Sequence, residues 1–212
     1  MADKEILIFV EGPSDKVFLE VYLYFLEDLP IKNFKVQNIK GKDNLSKRLL
    51  EIEKYDKTLI IFDADKDYES NKKEILKVVS KTKQTISEEQ IFLFPNNQDD
   101  GDLETLLLEI AKHDEFLKCF EGYLECIKSK EHYKPIRNIR KNMLYAYLEA
   151  LGLENLTKID IFDNESKIKN KHEENYRRLK EVIKFNSKSL IPLKNFLEKS
   201  TENKQKTKLK IF

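Results

Sequence analysis

The sequence predicts an α/β protein: a parallel sheet flanked by helices, continued by a mainly helical C-terminal part. Three observations predict it. The short apolar runs "EILIFV" (5–10), "TLIIF" (58–62) and "IFLF" (91–94) have the length and content of strands buried on both faces. Helical patterns of about 10–15 residues separate them, as parallel pairing requires. Beyond about residue 112 the β signals fade and helical spacing takes over.

The elements follow in order. After the first strand, Pro13 stands near a first helical position and a helix is expected over 14–29, with Val17, Val21 and Phe25 on one face and Pro30 as its stop. "NFKVQNI" (33–39) alternates and reads as a strand with one wetter face. Leu45, Leu49 and Ile52 predict a helix over 43–54, and Ile75, Val78 and Val79 another over 70–81. Polar "PNNQDDGD" (95–102) follows the last strand and opens a helix at Leu103. Residues 114–130, 137–151, 172–184 and 189–199 read as helices, "IDIF" (159–162) is too short to assign, and 200–210 reads as a frayed tail. Right-handed crossovers place every strand's carboxyl end on one edge, where ligands of such sheets bind.

Composition narrows the function classes. No run reaches the ~18 apolar residues of a membrane span, and "MADKE" carries no apolar signal region, so a cytoplasmic location is expected. Cys119 and Cys126 are expected as free thiols in a reducing compartment. His113, His132 and His172 show no zinc spacing. Charge is divided along the chain. Residues 1–129 hold 19 Lys and Arg against 27 Asp and Glu, a net −8, and residues 130–212 hold 20 against 11, a net +9. That suggests a cation site in the first part and an anionic partner for the second, or two solvated surfaces that neutralise each other.

Acids stand at the ends of all three apolar strands. The first ends at Glu11, with Asp15 in the next helical turn. The second ends at Asp63-Ala64-Asp65, with Asp67 beyond, and the third is followed by Asp99, Asp100, Asp102 and Glu104. Carboxylates gathered on one edge repel and take up protons or splay unless a cation joins them. An oxygen-only donor set suits Mg²⁺ or Mn²⁺. Taken singly, Asp15, Asp102 and Glu104 also suit helix N-termini, and Asp67 and Asp99 suit loop solvation. Glu11 and Asp63 have the least need of such an explanation.

The strand ending "VEG" with Glu11, the Asp63-Ala64-Asp65 pair and the later acidic segment resemble the Toprim domain. That is the Rossmann-like metal-binding fold of primases, type IA and II topoisomerases and OLD-family nucleases. "FPNNQDDGDLETLLLEI" (94–110) and "RKNMLYAYLEAL" (140–151) resemble the DUF3226 group, related to the OLD-type branch. The resemblance implies a Toprim domain over 1–112 and a basic helical region over 113–212 packed on it. It implies Glu11 as general acid/base or metal ligand, and Asp63 and Asp65 as holders of Mg²⁺. Asp15, Asp102 and Glu104 match the further OLD-type acids, although that pattern favours Glu at the first of them. Lys141 is the candidate for the downstream basic residue, with a solvent-facing role beside Arg137 and Arg140 as the alternative.

The expected activity is Mg²⁺- or Mn²⁺-dependent phosphodiester hydrolysis on DNA or RNA, with Glu11 and Lys141 catalytic and Arg137, Arg140 and Lys141 on the nucleic-acid backbone. Tyr133 and Tyr145 are candidates for base stacking, whereas Tyr147 falls on the apolar stripe with Ile139, Met143 and Leu151. No Gly-x-x-x-x-Gly-Lys-Ser/Thr run occurs, so an ATPase is expected only as a separate partner. Homo-oligomerisation is compatible with the sequence. A non-catalytic module binding metal and nucleic acid or nucleotide, or a subunit of a larger complex, is the second reading. A receiver-like domain is the third, opposed by the Asp63-Ala64-Asp65 pair.

Overall fold

The computed structural model describes residues 6–26, 34–83, 85–154 and 170–201, with 170–172 described by backbone alone. Its elements are β1 (Ile6–Val10), α1 (Pro13–Phe25), β2 (Phe34–Asn38), a 3₁₀ stretch (Lys42–Arg48) running into the one-turn α2 (Leu49–Ile52), and β3 (Lys57–Asp63). Then come α3 (Tyr68–Val79), β4 (Ile91–Phe94), α4 (Leu103–Glu109), α5 (Asp114–Lys128), α6 (Ile139–Ala150), α7 (Asn170–Val182) and α8 (Ile191–Thr201).

The four strands form one parallel sheet in the order β2-β1-β3-β4. Every residue of β1 and β4 is buried, as apolar runs without alternation require of strands covered on both faces. The period of two divides them between two cores. Ile6, Ile8, Val10, Leu59, Ile61, Phe92 and Phe94 face a cluster built with α1, α4, α6, α7 and α8. Leu7, Phe9, Ile60, Phe62, Ile91 and Leu93 face a second cluster with Leu45, Ile52, Ile75 and Val79. The chain leaves β1 for β2 on one side and reaches β3 on the other. The gap beyond the β1 and β3 carboxyl ends is therefore the sheet's switch point.

The C-terminal helices are fastened to this layer by backbone and tyrosine bonds. Lys112 N donates to Val182 O and Lys184 N to Ile110 O, both at 2.8 Å. Tyr147 is buried as its stripe predicts, and its hydroxyl donates to Val182 O at 2.7 Å. No described helix is long and apolar enough to cross a membrane. Cys119 and Cys126 are exposed free thiols.

The helix expected over 43–54 is corrected to the 3₁₀ stretch and a single α turn. Its polar side chains compete for backbone groups: Asn44 Nδ2 donates to Lys40 O at 2.6 Å and Ser46 Oγ to Asp43 O at 3.5 Å. Leu45 and Ile52 bury themselves without a continuous helix, while Leu50 stays 75% exposed. Helix α1 ends at Phe25, and its expected stop at Pro30 lies outside the described residues, as do "IDIF" and residues 202–212.

Two glycines shape the edge. Gly41 (φ 101°) has open space where a Cβ would stand, and Gly101 (φ 145°) would set a Cβ 3.0 Å from Pro95 Cδ and Thr105 Oγ1. Both backbone conformations disfavour other residues, but only Gly101 adds a clash. Gly101→Ala is predicted to lower unfolding stability by ~2–3 kcal/mol and Gly41→Ala by about half that, read as urea midpoints at unchanged m-value. Equal losses would show that the Pro95–Thr105 contact is immaterial.

Candidate metal centre

The switch point collects the acids by plain chain mechanics. Strand β1 ends one residue before Glu11, whose Oε1 accepts from Asp63 N at 3.1 Å, tying the β1 and β3 ends together. The Gly12-Pro13 turn starts α1 at once, so Asp15 falls in its first turn. Asp15 Oδ2 accepts from Gly12 N at 2.6 Å, a local cap that also turns the carboxylate back toward the sheet edge. Asp63 closes β3, and its Oδ1 accepts from Leu103 N at 2.9 Å, the first residue of α4. Three carboxylates from three segments are thus each held by one backbone N–H.

Burial and neighbouring charge act on all three. Burial, then the charges of Asp15 and Glu11, push Asp63 up to about 9 from 3.8. Burial, then the charges of Asp65 and Asp15, push Glu11 up to about 7 from 4.5, against the opposing bond from Asp63 N. Burial and Glu104 raise Asp15 to about 6 from 3.8, with Lys141 opposing. Asp15 is only 8% exposed. All three carboxyls are therefore harder to ionise than free ones, Asp63 most of all, with Glu11 poised between its two forms near neutrality.

The outer acids are placed differently. Asp65 takes a left-handed backbone (φ 54°), fixed by its N–H on Gly101 O at 2.7 Å, and its Oδ2 pairs with Lys42 Nζ at 2.7 Å. Asp102 caps α4: its Oδ1 accepts from Thr105 N (2.8 Å) and Thr105 Oγ1 (2.6 Å). Arg140 Nε lies 3.1 and 3.2 Å from the two Asp102 oxygens, and its NH2 donates to Oδ2 at 3.1 Å. Burial works against the Asp102 charge, but the bonds from Thr105 and Arg140 outweigh it and hold the carboxyl below the usual range. Glu104 is nearly buried and lies 3.9 Å from Lys141 Nζ. Arg137 is exposed, and its carbonyl accepts from Asn142 Nδ2. Tyr145 stands at the mouth of the edge, 3.5 Å from Ser14 Oγ, with Lys141 Nζ 5.8 Å from its ring centroid.

Two acids are structural. Asp67, read from sequence as loop solvation, caps α3 through Ser70 N at 2.9 Å. Asp99 stays in its loop, accepting from Asn96 Nδ2. Lys42 and Asn71 were missed by sequence reasoning. Lys42 follows Gly41 at the carboxyl end of β2, and that position on the ligand edge was the available signal. Asn71 donates to Ala64 O at 2.5 Å and accepts from Lys42 Nζ at 2.8 Å, bracing the Asp63–Asp65 turn.

The donor set is all oxygen and lacks a central positive charge, which fits a hard cation. Among the described residues no three His, Cys, Asp or Glu side chains close on one point. The arrangement therefore fits an ion held by one or two carboxylates with water completing its shell, the usual manner of Mg²⁺. Asp63, Glu11, Asp15 and Asp65 are the acids from which those one or two would be drawn.

A family model described as "Protein of unknown function (DUF3226)" matches residues 5–202. No curated protein matches the chain. Among solved structures the chain is similar to the C-terminal region of the Burkholderia pseudomallei OLD protein, at 14% identity and a TM-score of 0.43, over 73% of this chain and 86% of that one. A likeness of that depth adds nothing to the functional reading.

The raised carboxyls give a pH signature. The unfolded chain ionises Asp63, Glu11 and Asp15 near 3.8–4.5, whereas the fold retains their protons up to about 9, 7 and 6. Their contribution to stability is thus full below about pH 4 and is lost as pH rises toward 9. We predict that the metal-free melting temperature falls over this window and that Mg²⁺ restores more of it at pH 8.5 than at pH 6. Asp63→Asn, which can still accept from Leu103 N, should raise the metal-free value at pH 8.5 by ~3 °C or more and lose most of the Mg²⁺ gain. A flat metal-free profile in differential scanning calorimetry would contradict this.

Proposed function

We propose, for a chain that belongs to the DUF3226 family, that the β1–β3 edge is the centre of a divalent-cation-dependent phosphodiester hydrolase acting on nucleic acid. One observation carries the reading. Glu11, Asp15 and Asp63 are brought by three segments to the same sheet edge, without closing on one point, beside the basic start of α6. The Toprim-like order of the motifs supports it. A bound Mg²⁺ or Mn²⁺ would supply Lewis acidity toward a phosphate oxygen and a more acidic water.

The chain's own residues have separable tasks. Glu11, with a carboxyl near 7, is matched to accept or give a proton at working pH. Lys141, half-exposed beside Glu104, offsets negative charge on a phosphate brought to the edge. Arg137, just before α6, and Lys141, in its first turn, both reach solvent and would hold the backbone without reading sequence. Arg140 joins them only by leaving Asp102, so its first task is to position that cap. Burial makes full ionisation of Asp63, Glu11 and Asp15 costly, a cost that a bound cation would offset.

A second reading has its own observation. Both Asp102 oxygens are occupied by Thr105 and Arg140, and no three acids close on one point among the described residues. A module that holds a cation and nucleic acid without cleaving suits that arrangement. An ATPase supplied by a separate chain is compatible with either reading.

The deciding experiment incubates the protein with plasmid, single-stranded DNA and RNA in Mg²⁺ or Mn²⁺. We predict cleavage that Asp63→Asn and Glu11→Gln each reduce by ~10²-fold or more and Lys141→Ala by ~10-fold. Nucleic-acid affinity should fall with rising salt, with a shallower slope in Arg137→Ala/Lys141→Ala. Binding without cleavage in any metal would reject the hydrolase and leave the module.

A further inference from the structure

The positive charges around the edge are not equivalent. Arg140 and Lys141 approach from α6 and meet Asp102 and Glu104. Lys42 approaches from the opposite flank and meets Asp65, the second acid of the Asp63-Ala64-Asp65 pair. Its placement is built in. Gly41, at φ 101°, turns the chain so that its N–H donates to Glu11 O at 2.7 Å, which locks the β2 exit onto the β1 end. Lys42 Nζ then reaches Asp65 Oδ2 (2.7 Å) and Asn71 Oδ1 (2.8 Å), and Asn71 is itself bonded to Ala64 O between the two acids. The ammonium also faces the charge of Glu11.

We propose that Lys42 is a resident counter-ion on the Asp65 side of the edge, and that a divalent cation engages Asp65 by displacing it. This rests on the reading of the edge as a cation site. An ammonium and a metal ion compete for the same carboxylate oxygens. Lysine suits the role because it is a compact point charge on a flexible stem, with no fork geometry to unlock. The displaced ammonium has a berth. A cavity of ≈ 140 Å³ adjoins it between the 3₁₀ stretch and α3, lined by Lys42, Asp43, Ser46, Asn71 and Glu74. Asp43 and Glu74 give that berth negative charge for the ammonium, and Leu45, Ile75 and Val78 give it an apolar side that suits the lysine stem.

The consequence is a threshold. Metal-free protein keeps Asp65 paired, and loading needs enough cation to overcome the pairing. Removing the ammonium should therefore tighten cation binding, the reverse of what loss of a supporting residue does. The test is Mn²⁺ titration by calorimetry and by electron paramagnetic resonance on wild type, Lys42→Met and Lys42→Arg, each checked by its thermal melt. Lys42→Met should bind Mn²⁺ about three- to tenfold more tightly, a span set by a partly exposed ion pair. Lys42→Arg, which keeps the charge, should show no tightening. Unchanged or weaker binding in Lys42→Met, with wild type binding normally, overturns the counter-ion alone. Absence of Mn²⁺ binding in wild type and both variants overturns the cation site itself and the counter-ion with it.

Discussion

Everything at the functional edge follows from one constraint: negative charge is brought out of water where β1 and β3 end. Parallel strands must finish on the same side, and their apolar runs leave no room for the acids further back. Glu11 and Asp63 therefore stand side by side, joined by the Asp63 N–H on Glu11 Oε1. Asp15 is added because the Gly12-Pro13 turn begins α1 immediately. Burial first, and neighbouring acids second, raise each carboxyl, so an edge that looks anionic in sequence resists full ionisation without a cation.

The fold tolerates this by dividing its acids into two sets. The flanking acids meet full charges, Asp65 with Lys42 and Asp102 with Arg140. The central acids meet backbone donors, from Gly12, Asp63 and Leu103. Backbone donors orient a carboxylate without neutralising it, and each named bond engages one oxygen of a group that has two. Charge compensation at the rim and bare orientation at the centre is an arrangement suited to receiving a cation. A structural ion-pair network would have put a lysine or arginine in the middle.

Much of this was legible because burial writes directly into composition. Strands such as "TLIIF" admit no other reading once helices separate them, and the order β2-β1-β3-β4 then fixes which acids can meet. The 43–54 segment was misread because Leu45, Leu49 and Ile52 have helical spacing while Asn44 and Ser46 bond locally and break the helix. Lys42 escaped notice for a related reason. A lysine beside Gly-Lys-Asp-Asn resembles loop solvation, and only the Gly41 turn and the Asn71 brace aim it at Asp65. The distinction between Asp67 as a cap and Asp65 as a candidate site acid is likewise tertiary, since it depends on where Gly101 O holds the turn.

The same tertiary detail separates acids that sequence treats alike. Asp15, Asp102 and Glu104 all occupy first turns of helices, where a carboxylate is favoured by dipole and cap alone. Asp102 spends both oxygens on Thr105 and Arg140, and its carboxyl sits below the usual range. Asp15 also caps, through Oδ2 and Gly12, yet burial and Glu104 hold its carboxyl high. A residue serving only as a cap gains from being ionised, so selection for capping favours the Asp102 environment. Asp15 is kept where ionisation is costly, 8% exposed and facing other acids. Capping explains its position on the helix. It does not explain that burial, which the proposed cation at the β1–β3 edge would account for.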